Sequence, residues 1–532
     1  MSGLALLLFS VAAFILGYLF YLKFLLKRAF PISLDTPTPA VELNDGFDYV
    51  PARNWLMLFG HHFASIAGAA PIIGPVIALS LWGWAPAIIW IVLGSIFLGG
   101  IHDFSSLYVS MKSKGGSMAE VSKIAVSSKT KNLFSVFILL TLILVIGVFL
   151  YFCADTLMNK PEVIIPSFGL IPVAVLVGIM LYRFNMNIFF STLLGLLLLG
   201  ALIYFGDKMS FAVPIGNEGW IIILICYCFI ASVIPVNILL QPRDYLSTYL
   251  LFAGIIFGVL GIFITRPVIE APAFTAFNTE SGFLWPMLFV TVACGAISGF
   301  HSLVAAGTTS KQISSERYAP RIGYGAMLLE GLLAVIALVS VASLSGDTFS
   351  KLFKSSGAIN CFGHGYGNIV FPFLGSYGAA FAILILNTFI LTTLDTATRI
   401  SRYVMTEVFN LKSKLIATLI PVILAGLLAI SGSWRAIWVI FGAGNQLIAA
   451  LSLIVVSGWL IKRERPIKYT FIPAIFMLTT AVFAILYKLN QFVKDRNIVL
   501  SIISVMLILL GISVSWEARF IFKRFIFRKR MV

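Results

Sequence analysis

Very few ionisable residues lie inside the long apolar runs of this 532-residue sequence. A charged side chain at the centre of a membrane-spanning helix costs at least ~2.5 kcal/mol, so each such residue is a functional candidate. The candidates within the runs are His61, His62, His102, Asp103, His301 and Glu330. Because histidine and desolvated carboxyl groups can exchange protons near neutral pH, proton transfer is one of the roles that this set could have.

Glu330 is the candidate placed most deeply, in the apolar stretch Met327-Leu-Leu-Glu330-Gly331. Removal from water favours the neutral acid, so this carboxyl could titrate near neutral pH. It could carry a proton, together with His102 and Asp103, or it could be a structural acid bonded to a histidine. The histidines could relay protons, bind an anionic substrate or cap buried carbonyls. The sequence leaves these alternatives open.

The sequence does not favour a metal site. On a regular helix the rings of the adjacent His61 and His62 point about 100° apart, and the sequence contains no HExxH motif. Its five cysteines form no CxxC pair, and four of them lie in or beside apolar runs, which indicates packing roles. We therefore expect no metal and no cofactor beyond a coupling ion, H⁺ with Na⁺ as the alternative.

The elements that hold these residues must be membrane helices. Hydrophobic residues make up 60% of the chain and charged residues 11%, whereas soluble domains carry about 25% charged residues. This composition excludes both a soluble fold and a disordered chain. The net charge of +16 fits basic loops on one face of a bilayer and does not require a nucleic acid partner.

About fifteen apolar runs are long enough to cross a bilayer, which needs roughly 20 apolar residues per helix. With the N-terminus outside, 28 of the 37 basic residues fall on the cytoplasmic side, so we predict that the C-terminus is cytoplasmic. The predicted spans are 3–26, 55–81, 84–111, 133–157, 164–182, 187–206, 219–240, 246–265, 284–306, 321–345, 368–393, 415–431, 434–461, 470–488 and 498–517. Between them, the Gly- and Ser-rich segment 346–367 is expected to be an irregular loop.

Two of the predicted spans contain helix-breaking residues. Span 55–81 has Ser65, Gly68, Ala69, Pro71 and Pro75, and we expect it to unwind near Gly68–Pro75. Span 219–240 has Ser232 and Pro235 and faces the opposite way in this topology. Interrupted helices in matching positions of inverted halves point to a transporter's binding site.

The sequence thus predicts an all-α polytopic membrane protein with about fifteen helices and a five-plus-five inverted-repeat core. The first repeat would cover 55–206 and the second 219–393. Residues 1–54 would form a peripheral helix and a cytoplasmic loop, and residues 415–532 would form peripheral helices.

Charged residues also occur at two mouths of the predicted bundle. Arg243 and Asp244 lie at one, while Asp395, Arg399 and Arg402 share one helical face at another. These residues could form a cytoplasmic gate, and an ion-paired helix end is the simpler interpretation.

Several segments, in order between about residues 38 and 460, resemble the carbon starvation protein A family. They include Phe59-Gly60-His61-His62-Phe63, His102-Asp103-Phe104, Pro242-Arg243-Asp244-Tyr245, Gly299-Phe300-His301-Ser302, Leu394-Asp395-Thr396 and Gly444-Asn445-Gln446-Leu447. The resemblance implies a bacterial inner-membrane carrier that takes up peptides or pyruvate with protons when carbon is scarce.

The resemblance also implies distant kinship to LeuT-like carriers of the amino acid–polyamine–organocation superfamily. From that kinship we expect a cation-like site at Ala305, Thr308 and Thr309, with Gly68 opposite. The compact outer loops and the short C-terminal part leave the substrate open.

The combined hypothesis is a proton-coupled symporter that works by alternating access, and not an enzyme. The half-helix N-terminus near Pro71 would bind a carboxylate. His61, His62, Ser65, Gly68, Ala69, Ser232 and His301 would complete the substrate site, with Glu330 coupling a proton. The competing hypotheses are a starvation sensor, a channel and a histidine-dependent membrane hydrolase, for which the sequence has no motif. The sequence leaves the oligomeric state open.

Overall fold

The structure is a computed structural model that describes residues 2–33, 36–209, 213–432 and 434–530. Of these, the side chains of residues 356, 434–436, 439 and 520–530 lie outside the description. The apolar runs form helices because a backbone in lipid must satisfy its own hydrogen bonds. The first half contains α1 (Gly3–Arg28), α2 (Trp55–Ala67), α3 (Ala70–Trp82), α4 (Trp84–Met111), α5 (Met118–Ala125), α6 (Ser128–Asn159), α7 (Pro161–Arg183), α8 (Ile188–Lys208), α9 (Asn217–Val233) and α10 (Leu240–Thr265).

The second half begins after a small antiparallel hairpin of β1 (Asn278–Thr279) and β2 (Gly282–Phe283). It contains α11 (Leu284–Thr291), α12 (Gly299–Gly307), α13 (Glu316–Ala342), α14 (Gly346–Leu374), α15 (Gly378–Phe409), α16 (Lys414–Ile430), α17 (Trp434–Ile461), α18 (Lys468–Lys494) and α19 (Ile498–Arg530).

Within the described residues, twelve helical segments are long and apolar enough to cross a membrane. Helices α9 and α16 are apolar but only 17 residues long. Helical structure occurs in every predicted span, and the count of fifteen crossings stays a prediction. These helices are consistent with the predicted polytopic all-α architecture.

The expectation of an irregular loop at 346–367 was wrong. The segment belongs to α14, a 29-residue helix that contains one non-helical residue, Gly357 (φ 73°). The side chain of Ser345 caps its N-terminus by accepting a hydrogen bond from the Thr348 amide, and α14 packs against α15. Tertiary packing therefore overrides the weak helix propensity of glycine and serine. The predicted span 368–393 is accordingly divided between α14 and α15.

The first predicted helix break is confirmed but is shorter than expected. Helix α2 ends at Gly68, whose φ of 50° and ψ of −157° favour glycine, and α3 begins at Ala70. Pro71 and Pro75 do not unwind the chain. Pro71 occupies the first turn of α3, where the missing amide has no helical partner in any case, and Pro75 lies inside a continuous helix.

Two further interruptions occur. Residues 234–239 separate α9 from α10, in the place where Ser232 and Pro235 predicted one. Residues 292–298 separate α11 from α12, although the sequence predicted a single span over 284–306. We number the three breaks in chain order. In the first and third breaks, the first half of each broken helix packs against the second half of the other, α2 against α12 and α3 against α11. The two broken helices therefore lie side by side with opposite chain directions.

Candidate functional site

Asp103 of α4 is the centre of a buried histidine–carboxylate chain. Its Oδ1 lies 2.7 Å from Nδ1 of His102, and its Oδ2 lies 2.8 Å from Nδ1 of His301 on α12. All three side chains are completely buried. A carboxylate that holds both imidazoles fixes their ring orientation and directs the second nitrogen of each ring away from itself.

Glu330 of α13 extends this chain. Its Oε2 lies 3.2 Å from Nε2 of His301, and neither carboxyl oxygen has a hydrogen-bond partner among the described residues. Helices α4 and α13 can approach this closely because Gly323 has no side chain. A Cβ there would lie 2.7 Å from the Cα of Phe104. The structure thus places Glu330 beside a histidine, as one sequence alternative proposed, without a hydrogen bond between them.

Cys294, in the third break, lies near the Glu330 end of the histidine–carboxylate chain. Its sulfur, one nitrogen of His301 and one oxygen of Glu330 all lie within 4.8 Å of one another. The sequence did not single out this cysteine. The expectation that the protein holds no metal stays a prediction.

The backbone of the third break is held by side chains from α4 and α17. The indole nitrogen of Trp90 donates to the Val292 carbonyl (2.9 Å), and the Ser95 hydroxyl donates to the Gly295 carbonyl (2.9 Å). Asn445 accepts a hydrogen bond from the amide of Phe300 at the start of α12 (2.7 Å). Unwound backbone inside a membrane needs such partners, so this break is a built feature.

A small cavity lies where the first and third breaks approach each other. Its volume is about 10 Å³, room for about one water molecule. Its wall is apolar apart from the Thr393 hydroxyl, the Cys294 thiol and the backbone. Its lining residues are Ile66, Ala67, Gly68, Ala70, Val145, Phe149, Cys294, Phe300, Thr393 and Phe441.

Two threonines of α15, which the sequence analysis did not select, contact the first break. The Thr393 hydroxyl donates to the Ser65 carbonyl (3.3 Å), and the hydroxyls of Thr396 and Ser65 lie 3.0 Å apart. Of the residues expected to form a cation-like site, only Gly68 lines this cavity. The Thr308 hydroxyl bonds its own helix at Val304, and Ala305 is fully buried.

His61 and His62 contact different partners. Nδ1 of His61 lies 2.5 Å from Oδ2 of Asp244, and its Nε2 accepts a hydrogen bond from Gln312 (3.2 Å). Gln312 in turn accepts from Gln241 (2.7 Å). Nδ1 of His62 lies 2.8 Å from the Thr309 hydroxyl, and its Nε2 has no partner among the described residues.

The remaining residues predicted to bind substrate do not all meet at the cavity. Ala69 and Pro71 flank its lining residue Ala70 and are buried. The Ser232 hydroxyl lies 3.4 Å from that of Thr418. The structure therefore brings part of the predicted substrate set to the first break and places the rest in separate hydrogen-bonded clusters.

Arg243 and Asp395 form a buried ion pair between α10 and α15. The Tyr227 hydroxyl joins them, since it donates to Asp395 (2.6 Å) and accepts from Arg243 (2.6 Å). We call these three residues the arginine cluster. The predicted pairing of gate residues is thus changed: Asp395 binds Arg243 and not an arginine of its own helix, and Asp244 binds His61.

Arg399 and Arg402 instead face Asp48, in the loop before α2. Asp48 accepts hydrogen bonds from Arg402 (3.1 Å) and the Tyr403 hydroxyl (2.7 Å), and Arg399 lies 3.5 Å away. Partial burial raises the pKa of Asp48, but these cationic and hydroxyl partners outweigh it and hold the pKa below its usual range. Arg399 also donates to the carbonyls of Ala231, in the last turn of α9, and of Ile234, so it connects the loop to the second break.

The profile of the family described as "Carbon starvation protein CstA" matches residues 2–370 and 350–484. A peptide transporter CstA of Bacillus subtilis is 28% identical over 96% of this chain and 95% of its own. A pyruvate/proton symporter, BtsT of Escherichia coli, is 30% identical over 92% of this chain and 82% of its own.

Among solved structures, a manganese transporter of Eremococcus coleocola aligns with 91% of this chain and 99% of its own. The TM-score is 0.42 at 13% sequence identity. A score of this size does not establish a common fold.

Proposed function

Because this chain belongs to the carbon starvation protein CstA family, we propose that it is a secondary transporter that imports a peptide or a small carboxylate such as pyruvate together with protons. It is a multi-pass membrane protein, and we place it in the bacterial cytoplasmic membrane with its N-terminus outside and its C-terminus inside. One observation carries the proposal: the titratable Glu330–His301–Asp103 chain adjoins the break whose Cys294 lines the central cavity.

The helix lengths support an inverted five-helix repeat of the LeuT-like kind, with boundaries that differ from the sequence prediction. We propose that the repeats cover 55–265 and 284–461, with α7 and α8 inserted in the first. Each then contains five membrane helices, namely a broken helix, a long helix and three further helices, together with one connecting helix (α5 or α14). Those three have 32, 17 and 26 residues in the first repeat (α6, α9, α10) and 32, 17 and 28 in the second (α15, α16, α17).

Helix packing agrees with this assignment. The two 32-residue helices pack against each other, as do the two 17-residue helices, and the broken helices pair with opposite directions. Equivalent helices contact each other in this way when a two-fold axis relates the repeats. Transporters built from such repeats bind substrate where the broken helices meet.

The substrate site in this proposal is the cavity between Gly68 and Cys294. Its small volume describes a closed conformation that has to expand around a substrate. The Thr393 hydroxyl and the backbone at Gly68 supply polar contacts for a carboxylate or a peptide group. The adjoining start of α3 adds the positive end of a helix dipole.

Glu330 is the proposed proton carrier, oriented by His301 and Asp103. The Glu330 carboxyl is fully buried and lies 3.2 Å from Nε2 of His301, so a movement of α12 relative to α13 would change the environment in which it binds and releases a proton. The arginine cluster, with Arg399 and Asp48, forms the proposed cytoplasmic gate. These charges join α9, α10 and α15 to the loop before α2, and they have to separate when that side opens.

The test is transport by the purified protein in proteoliposomes. Labelled pyruvate and a labelled dipeptide should accumulate against their gradients when the pH gradient is imposed, and competition between them identifies the preferred substrate. Glu330→Gln should abolish accumulation driven by the pH gradient but keep exchange of labelled for unlabelled substrate, which needs no net proton movement.

Two outcomes would contradict the proposal. Uptake that ignores both the pH and the Na⁺ gradients would exclude symport. Full gradient-driven accumulation by Glu330→Gln would exclude that residue as the proton carrier. His364→Gln is the matched control for general effects of removing a titratable group, because His364 is exposed on α14.

A further inference from the structure

A deep apolar crevice opens on the outer surface between α1, α4, α11 and α18. Its volume is about 850 Å³, within the range of about 300–1,000 Å³ that is typical of ligand sites. Its walls include Ile89, Leu93, Phe97, Ile472 and Phe476, all of which are exposed. The crevice is therefore open to the hydrocarbon region and is suited to an acyl chain.

One end of the crevice is basic. Lys468 and Tyr469, at the start of α18, both line it, and Lys468 is exposed. The Tyr469 ring contacts that of Phe24 (5.3 Å between centroids), and the Arg28 guanidinium lies 6.0 Å from the Phe24 ring. Arg465 donates to the Ala29 carbonyl (3.1 Å), which connects the end of α1 to the turn before α18.

The two chain segments that meet near this end are strongly basic, and Lys468 is the basic residue among them that lines the crevice. The segments 20–30 and 461–469 contain seven basic residues and a single acidic residue, Glu464. The basic residues are Lys23, Lys27, Arg28, Lys462, Arg463, Arg465 and Lys468. A cationic rim beside an apolar crevice matches one kind of ligand, a phospholipid with an anionic headgroup.

The floor of the crevice connects it to the third break. The rings of Trp90 and Phe289 line it and lie 4.5 Å apart. The Trp90 indole donates to the Val292 carbonyl, and the Phe289 carbonyl accepts from Gln446. An acyl chain in the crevice would thus contact Trp90, whose side chain holds the backbone at the interruption of α11, and Phe289 of α11 itself.

We propose that this crevice is a specific site for an anionic phospholipid, with the headgroup at Lys468 and an acyl chain packed over Trp90 and Phe289. The site does not depend on the transported substrate or on the coupling ion. Zwitterionic lipids should enter more weakly, because they fill the crevice but gain little from the basic rim.

Native mass spectrometry of the delipidated full-length protein tests the proposal. Phosphatidylglycerol and phosphatidylcholine with identical acyl chains are titrated separately, and bound lipid is counted for each. Lys468→Gln should weaken phosphatidylglycerol binding about fivefold, the effect of one cation near an anionic lipid surface, and leave phosphatidylcholine unchanged. Leu93→Trp should fill the crevice and weaken the binding of both lipids.

Two matched controls separate this site from general lipid contact. Lys488→Gln changes a lysine near the other end of α18, and Leu197→Trp enlarges an exposed leucine on α8. Neither should alter binding. Equal affinity of the unchanged protein for the two lipids would overturn the proposal, and so would equal effects of Leu93→Trp and Leu197→Trp. The affinities of the unchanged protein for the two lipids can be compared without any variant. The proposal can therefore still be overturned if a variant fails to fold.

Discussion

The histidine–carboxylate chain and the arginine cluster are both buried and charged, yet their chemistry differs. In the chain, Asp103 orients His301, and His301 faces Glu330, the proposed proton carrier. In the cluster, Arg243 keeps its charge under all such conditions and Asp395 is held against it. The first region is therefore suited to change charge in place, whereas the second is suited to hold charges that separate only when helices move.

The hydrogen bonding of the two regions supports this distinction. Both oxygens of Glu330 and one nitrogen of His102 have no hydrogen-bond partner within the described chain, which leaves positions for protons. The Oδ2 atom of Asp395 accepts from both Arg243 and Tyr227, while Oδ1 of Asp395 and Nε of Arg243 also have no partner among the described residues. A transporter needs both properties, since proton binding must be reversible and a closed gate must resist thermal opening.

The largest expected effect is on the arginine cluster. Asp395→Asn should lower the free energy of unfolding by about 3–5 kcal/mol, because it leaves the Arg243 charge buried without its counter-ion. Thermal unfolding of the detergent-purified protein measures the loss. The double variant Arg243→Met with Asp395→Leu removes both charges and should recover most of the stability. If Asp395→Asn changed the free energy of unfolding by less than about 1 kcal/mol, the Arg243–Asp395 pair would not hold α10 against α15.

A smaller effect is expected in the histidine–carboxylate chain, and it should differ between its members. Asp103→Asn removes the charged acceptor of two histidines and should cost about 2–3 kcal/mol of stability. Glu330→Gln removes no hydrogen bond and should cost less than about 1 kcal/mol, while it abolishes proton-driven accumulation. Thermal unfolding and proteoliposome uptake of the same preparations separate positioning from proton transfer. Equal stability losses in the two variants would remove the distinction between them.

Much of the helical framework could be predicted because lipid imposes long apolar runs on the sequence. The break at Gly68 was predictable from glycine and proline. The break at 292–298 was missed because its residues Cys294-Gly-Ala-Ile-Ser298 are mostly small or apolar and look like helix interior. Helix α14 was missed for the opposite reason. Its glycines and serines are typical of a loop, and the helix depends on tertiary packing that the local sequence does not show.

The candidate site was predictable in its members but not in its pairings. Charge inside apolar runs singled out Asp103, His301 and Glu330, because such residues are rare in membrane spans. Partners such as Asp48 for Arg402, 354 residues apart, depend on tertiary structure that no local pattern encodes. Asn445 carried a usable signal, because it is a polar amide within an apolar run.

The loop before α2 offers a test by pH. Asp48→Asn should cost about 1 kcal/mol at pH 7, since it weakens charged hydrogen bonds at a partly exposed site. The pKa of Asp48 is lowered in the folded protein, so its stabilisation is present above the unfolded value near ~3.9 and is lost as the pH falls through the folded value. The difference in unfolding midpoint between the two proteins should therefore shrink as the pH is lowered from about 5 to below that unfolded value. A difference that grows on acidification would contradict the assignment.

The smallest effect is expected for Lys414, whose Nζ lies 3.4 Å from the centre of the Phe47 ring, one residue before Asp48. Lys414 is exposed, and a cation–π contact at an exposed site contributes about 0.5–1 kcal/mol. Lys414→Met keeps an aliphatic side chain over the ring and removes only the charge, so the loss should lie at the lower end of that range and should not vary between pH 7 and pH 4. If this variant cost as much as Asp48→Asn, the loop would be held by the lysine as much as by Arg399 and Arg402. The contrast between an exchangeable proton site and a gate fixed by arginines would then not extend to this loop.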